Sequence, residues 1–167
     1  MSTPVQACIG LGANLGDAAA AVRAAFPALA ALPGTRLLAC SRLYRTPAWG
    51  RTDQPDFINA AAVLETTLAP QALLQGLLGI EREAGRRRDG DAGRWGPRVL
   101  DLDLLLYGAH VLDEPGLQVP HPYLHQRAFV LAPLAEIAPQ AVIPGHGSVA
   151  AVLETVDATG VQALAGD

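Results

Sequence analysis

The chain has 167 residues, half of them apolar, and a formal charge of −4. That length suits a single domain, 1–167, with a core of its own, and the acidic balance argues against a general nucleic-acid binder. No apolar run approaches the roughly twenty residues of a membrane span and no secretory leader opens the chain, so the expectation is a cytoplasmic monomer with no membrane or nucleic-acid partner.

Val5 to Gly10 reads as a first strand. Gly10-Leu11-Gly12-Ala13-Asn14-Leu15-Gly16 then looks like a tight strand-to-helix turn capped by Asn14 or Asp17. A dinucleotide-binding loop has a similar outline. The glycine spacing is one residue too long for it, however, and Cys40-Ser41-Arg42 offers no acid for a ribose hydroxyl, so a nicotinamide oxidoreductase is the weaker enzyme reading. Asp17 to Leu32 reads as an alanine-rich helix that Pro27 should kink or end early. Thr35 to Ser41 reads as a second strand running on toward Tyr44. Cys8 and Cys40, both on strands, read as small buried apolar residues rather than a disulfide. Thr46 to Pro55 is a loop punctuated by proline and glycine, too long for a plain hairpin.

Phe57 to Thr66 is the third strand, and Ala69-Pro70 opens a helix that buries Leu73, Leu74, Leu77, Leu78 and Ile80 and ends at Gly85. Asp101 to Tyr107 reads as a strand, with a short one over His110 to Asp113. Val119-Pro120-His121-Pro122 is extended by its prolines. His125 to Ile137 reads as a helix broken near Pro133, Val149 to Val156 as a last helix, and the tail beyond shows no pattern. Strands and helices mix without regular alternation, which implies an α+β fold with a mainly antiparallel sheet covered by helices.

The chemistry is concentrated between Arg82 and Arg98. Arg82, Arg86, Arg87, Arg88, Arg94 and Arg98 are six of twelve arginines within seventeen positions, and the window carries +3 after Glu83, Asp89 and Asp91 are subtracted. Guanidinium groups bind phosphate oxygens bidentately and hold their charge at any working pH. The chain has no lysine. That excludes a P-loop, a protein-kinase fold and pyridoxal chemistry, each of which needs an amine, and leaves phosphate to arginine and metal.

Directly after this loop, Leu100 to Leu106 alternates strictly. Leu100, Leu102, Leu104 and Leu106 should share one face, and Asp101 and Asp103 the other, with Leu105 and Tyr107 continuing the carboxylate side and covering it. Same-face neighbours lie about 7 Å apart at the backbone, so both carboxylates can reach one hard cation or two ions roughly 4 Å apart. Oxygen-only ligands favour magnesium. The plainer reading is a solvated edge strand beside a solvated charge run.

Gly12-Ala13-Asn14-Leu15-Gly16-Asp17, Tyr44-Arg45-Thr46-Pro47, Gln54-Pro55-Asp56-Phe57-Ile58-Asn59-Ala60, Arg94 to Asp103 and Val119-Pro120-His121 occur in this order. Together they resemble the hydroxymethyldihydropterin pyrophosphokinase family, over roughly residues 5–140. The resemblance implies a ferredoxin-like sheet in a three-layer α/β/α arrangement. It implies transfer of diphosphate from ATP to the hydroxymethyl group of 6-hydroxymethyl-7,8-dihydropterin, with AMP released. It also implies two Mg2+ ions held by Asp101 and Asp103, and Arg86 and Arg98 acting on the transferring phosphates. Arg88, Leu104, His121 and Arg127 would be further ATP contacts. The pterin would lie between Phe57 and Phe129, against Thr46, Pro47, Trp49 and Asn59, with Trp95 closing over it. Asp89-Gly90-Asp91 lengthens the arginine loop relative to the family, and Pro122, Gly116 and Gln118 depart from its usual residues. A binding module that kept the pocket and lost turnover is the third reading.

Overall fold

The computed structural model of the protein describes residues 3–47, 55–88 (backbone alone at 86–88) and 99–164. Its elements begin with β1 (Val5–Ala13), α1 (Ala18–Ala30), β2 (Thr35–Cys40), β3 (Tyr44–Thr46), β4 (Phe57–Thr66), α2 (Pro70–Arg88) and β5 (Asp101–Tyr107). There follow β6 (Leu112–Glu114), β7 (Leu117–Val119), a 3-10 turn (Leu124–Gln126), α3 (Ala128–Ile137), β8 (Val142–Ile143), β9 (Gly147–Ser148), α4 (Val149–Leu153) and β10 (Gln162–Ala163).

The main sheet is antiparallel throughout, in the order β10-β3-β4-β1-β5, with β2 also on β4. β4 is its spine. It pairs with β1 from Val5↔Thr66 to Ala13↔Ile58, and on its other edge with β2 near Thr66 and β3 near Phe57. Where β2 gives way to β3, Ser41 bridges the break: its N–H donates to the Ala61 carbonyl, and its hydroxyl accepts from the Ala61 N–H, both at 2.9 Å.

One face of the sheet is covered by α1 and α2, where Val22, Leu29, Leu73 and Leu77 pack on Ile9, Leu11, Leu64 and Leu102. The other is covered by α3 and α4, whose Leu131, Leu134, Val149 and Val152 meet Cys8, Ala61, Val63 and Leu105. This is the three-layer, ferredoxin-like arrangement that the sequence implies. Each fully buried Leu contributes about 1.5–3 kcal/mol, so the two apolar faces fix both helical layers on the sheet.

Several local expectations change. β1 does not turn at Gly10 but runs three residues further, so Gly10 and Gly12 are strand residues. Only then does the chain turn, and Asp17, not Asn14, caps α1, accepting from the Ala20 N–H at 3.1 Å. Pro27 lies inside α1, on its exposed side, without ending it. Burial of Ala25 and Leu29 on either side of it holds the helix on the sheet. Gly85 likewise sits within α2 rather than at its end, and has no positive φ that would stop it. The break expected at Pro133 occurs instead at Arg127, whose extended backbone (φ −111°, ψ 97°) separates the 3-10 turn from α3.

The short strand after β5 begins at Leu112 and pairs with β7 as a hairpin, and the Val119–Pro120 peptide that follows is cis. α4 ends at Leu153, short of Val156; Thr155 turns its hydroxyl back to the Val152 carbonyl at 2.6 Å. The patternless tail contains β10, which pairs with β3 through Gln162↔Arg45 and Ala163↔Tyr44. Cys8 is buried as expected. Cys40 is exposed, because it closes β2 on the outward side of a pattern that alternates half-buried and exposed residues.

The alternation in β5 is also interrupted. Ile9 pairs with Leu104 but Cys8 pairs with Leu106, leaving Leu105 as an extra residue. This bulge puts Leu105 and the next residue, Leu106, into the α3–α4 layer and returns Tyr107 to the α1–α2 layer with Leu102 and Leu104. Leu106 and Tyr107 therefore lie on the faces opposite to those that strict alternation assigns them.

Candidate active site

The site is built around two residues that have no side chain. On β1, Gly10 stands between Asp103 of β5 and Ala61 of β4, and Gly12 between Asp101 and Asn59. Bare backbone on this face leaves a floor between the carboxylates and the Asn59 amide. A Cβ built on Gly12 would lie 3.0 Å from Asn59 Oδ1, too close for comfort. Glycines two apart inside a strand mark such a close approach, and that signal was present in the sequence.

Above the floor is a cavity of about 400 Å3, walled by Thr46, Pro47, Phe57, Asn59, Asp101 and Asp103, with Arg127, Phe129 and Val130 from the α3 side. Phe57 and Phe129 come from different layers and are both half-buried. Asn59 is buried, and its Nδ2 donates to Thr46 Oγ1 at 3.0 Å. That leaves Oδ1 as a fixed acceptor over Gly12.

A second cavity, about 670 Å3, opens on the other side of Asp103. Leu102 and Leu104 line it from β5, Asp113 to Gln118 from the β6–β7 hairpin, and His121 and Pro122 from the chain beyond. Asp103 lines both cavities. The Tyr123 N–H donates to His121 Nδ1 at 3.3 Å, which assigns the ring proton to Nε2. Burial pushes the His121 pKa down, partly opposed by Asp103 and helped by Arg127, so the ring is a neutral donor at neutral pH. Arg127, half-buried, lies over the rings of Tyr123 at 5.1 Å and Phe129 at 5.8 Å. Such cation–π contacts hold a guanidinium in place.

Asp101 and Asp103 are both half-buried and share one face of β5 ahead of the bulge. Beside them, Glu81 of α2 accepts from the Leu102 N–H at 2.7 Å and fixes the outer edge of the strand. Among the described residues no group of three or more His, Cys, Asp or Glu forms a metal cage. Two carboxylates on one strand face offer oxygen ligands of the kind that suit magnesium, which keeps waters and takes phosphate oxygens for its remaining positions.

Thr46, Pro47, Phe57, Asn59, Asp101, Asp103 and Phe129 thus surround the first cavity, while Leu104 and His121 face the second. Arg127 is found at the first cavity, not among the residues lining the second. Arg86 and Arg88 belong to the last turn of α2. Trp49, Trp95 and Arg98 lie outside the described residues. A further cavity of about 540 Å3 between α1 and α2 is lined mainly by alanine, glycine and leucine, on the sheet face away from the carboxylates.

Residues 8–139 match the family model described as 7,8-dihydro-6-hydroxymethylpterin-pyrophosphokinase (HPPK). The chain is 50% identical over 158 residues to the 2-amino-4-hydroxy-6-hydroxymethyldihydropteridine pyrophosphokinase of Methylorubrum extorquens, covering 94% of this chain and 97% of that one. It is 46% identical to the protein of the same name from Pseudomonas aeruginosa, covering 95% and 96%. In fold it is similar to the wild-type HPPK-DHPS of Plasmodium falciparum, with a TM-score of 0.73 at 13% identity over 93% of this chain. It spans 45% of that longer chain. By the match over residues 8–139 and by its identity to relatives along nearly their whole length, the chain belongs to the 7,8-dihydro-6-hydroxymethylpterin-pyrophosphokinase family.

Proposed function

We infer that the protein transfers diphosphate from ATP to the hydroxymethyl group of 6-hydroxymethyl-7,8-dihydropterin, releasing AMP, as a single-domain, cytoplasmic, monomeric enzyme of folate biosynthesis. The observation that supports this reading is that Asp103 lines both cavities, so that an acceptor bound in one and a triphosphate bound in the other would meet at the same carboxylate. Among the described residues no helix is long and apolar enough to cross a membrane.

The pterin lies in the smaller cavity, between Phe57 and Phe129, and the Asn59 Oδ1 accepts from the ring's N–H edge. ATP lies in the larger, with its phosphates toward Asp103 and His121 Nε2–H donating to them. The acceptor hydroxyl oxygen attacks the β-phosphorus and releases its proton to water, the bond from that phosphorus to the oxygen bridging to the α-phosphorus breaks, and AMP leaves with that oxygen. Such a transition state calls for alignment and charge neutralisation more than for a strong base. Asp101 and Asp103 would hold two Mg2+ ions, whose chemistry is to offset phosphate charge and acidify the attacking alcohol. Arg127 adds fixed positive charge and Pro47 lines the ring's cavity; for Arg86, Arg88 and Arg98 the proposed action on the phosphates, and for Trp49 and Trp95 the proposed contact with the pterin, rest on the family resemblance alone.

Incubation with ATP, Mg2+ and the pterin should yield AMP and the pterin diphosphate in equal amounts; ADP as product would overturn the assignment. The oxidoreductase reading loses its motif, since Gly10 and Gly12 are paired strand residues, not a phosphate-binding turn.

A further inference from the structure

Glu136, in the last turn of α3, lines neither of the two cavities, yet donors from one short stretch of chain converge on it. The Tyr44 hydroxyl donates to Oε1 at 2.6 Å, Arg42 Nε to Oε1 at 3.2 Å, and the Arg42 backbone N–H to Oε2 at 3.1 Å. Its side chain is 26% exposed, while Arg42 closes over it from solvent at 62%.

The two elements joined here are the ones that carry opposing walls of the smaller cavity. β3 runs from Tyr44 to Thr46 and on to Pro47; α3 starts beyond Arg127 and carries Phe129. Glu136 is seven residues from Phe129, about 10 Å along a helix, and Tyr44 is two residues from Thr46, roughly 7 Å along a strand. Leu131 and Leu134 hold α3 on the sheet by apolar contact, which is non-directional and tolerates sliding. Charge-assisted hydrogen bonds of defined geometry set the position along and above β3.

We propose that Glu136 is a positioning residue: with Tyr44 and Arg42 it clamps α3 to β3 at the distance that lets Phe129 and the Thr46–Pro47 wall grip a flat heterocycle. The proposal rests on the reading that the pterin occupies this cavity. Contact attraction is lost within a fraction of an ångström, so a loosened clamp weakens pterin binding and leaves the ATP side, built from β5 and the β6–β7 hairpin, unaffected.

The test is steady-state kinetics with both substrates varied, on Tyr44→Phe, Glu136→Gln and Glu136→Ala, with Phe129→Ala as reference. The pterin KM should rise about 5–20-fold in Glu136→Ala, less in Glu136→Gln, which keeps an acceptor for Tyr44, and in Tyr44→Phe; ATP KM and kcat should stay within twofold. A lowered melting temperature with both KM values unchanged, or both KM values and kcat shifting together, would overturn the proposal. If Glu136→Ala does not fold, the other two variants decide. An unchanged pterin KM in Phe129→Ala would instead overturn the assignment of the cavity to the pterin.

Discussion

The Asn59 amide donates to the Thr46 hydroxyl at 3.0 Å, and this one bond turns the carbonyl end of the same amide over the backbone of Gly12. The cavity therefore presents an acceptor, not a donor, at this point, as the N–H edge of a pterin requires. Gly12→Ala would thrust a methyl group against that acceptor. The pterin Kd should rise at least tenfold, equivalent to about 1.4 kcal/mol, with the ATP Kd little changed. Fluorescence titration with the pterin measures it directly, and unaltered affinity would remove Gly12 from the floor of the site.

Removing either carboxylate should abolish most turnover. Asp101→Ala and Asp103→Ala are expected to lower kcat by about a thousandfold, or roughly 4 kcal/mol, with circular dichroism unchanged. EDTA should do the same to the wild type, and Mg2+ should restore it. Near-normal rates in the variants would refute the metal role.

Glu136 also makes a pH-dependent contribution to stability. Burial would raise its pKa, but hydrogen bonds from Tyr44 and Arg42 outweigh that and hold the carboxyl below the ordinary 4.5. A depressed folded-state value means that the contribution is complete above the unfolded value and is lost as pH falls through the folded one. The melting temperature of wild type should exceed that of Glu136→Gln at pH 6–7, and the gap should close below pH 4.5. A gap independent of pH would show that the charge contributes nothing.

The two thiols should behave oppositely. Burial pushes the Cys8 pKa up to about 12, so it stays a protonated thiol inside the α3–α4 layer. Cys40 is exposed. A thiol reagent at pH 8 should label one cysteine per native chain and two after unfolding; labelling of Cys8 in the native protein would contradict the packing of that layer.

Much of this was legible in sequence because it rests on local rules. Alternation put the two aspartates on one face of a strand, and Pro70 opened its helix. What escaped was decided by tertiary context. Gly10 and Gly12 look like a turn until β4 and β5 pair with β1 on both sides. Pro27 and Pro133 look like breaks, yet apolar burial of Leu29, Leu131 and Leu134 carries both helices through them. β10 has only two residues, too few for any period, and exists because β3 offers it an edge. The bulge at Leu105 is a matter of register between strands distant in sequence, which alternation along one of them does not contain. The Glu136 clamp is a contact over 92 residues between Tyr44 and Glu136, invisible to any local pattern.

The extra residue in β5 has an effect beyond packing. Ahead of Leu105 the strand's phase is set by where the carboxylates must point; behind it, by what the helical layers must bury. Leu105 acts as a slip joint between these two demands. Leu106 and Tyr107 take the faces that the helical layers require without changing the face that Asp101 and Asp103 share, so the carboxylate-bearing and core-forming halves of one strand are set separately.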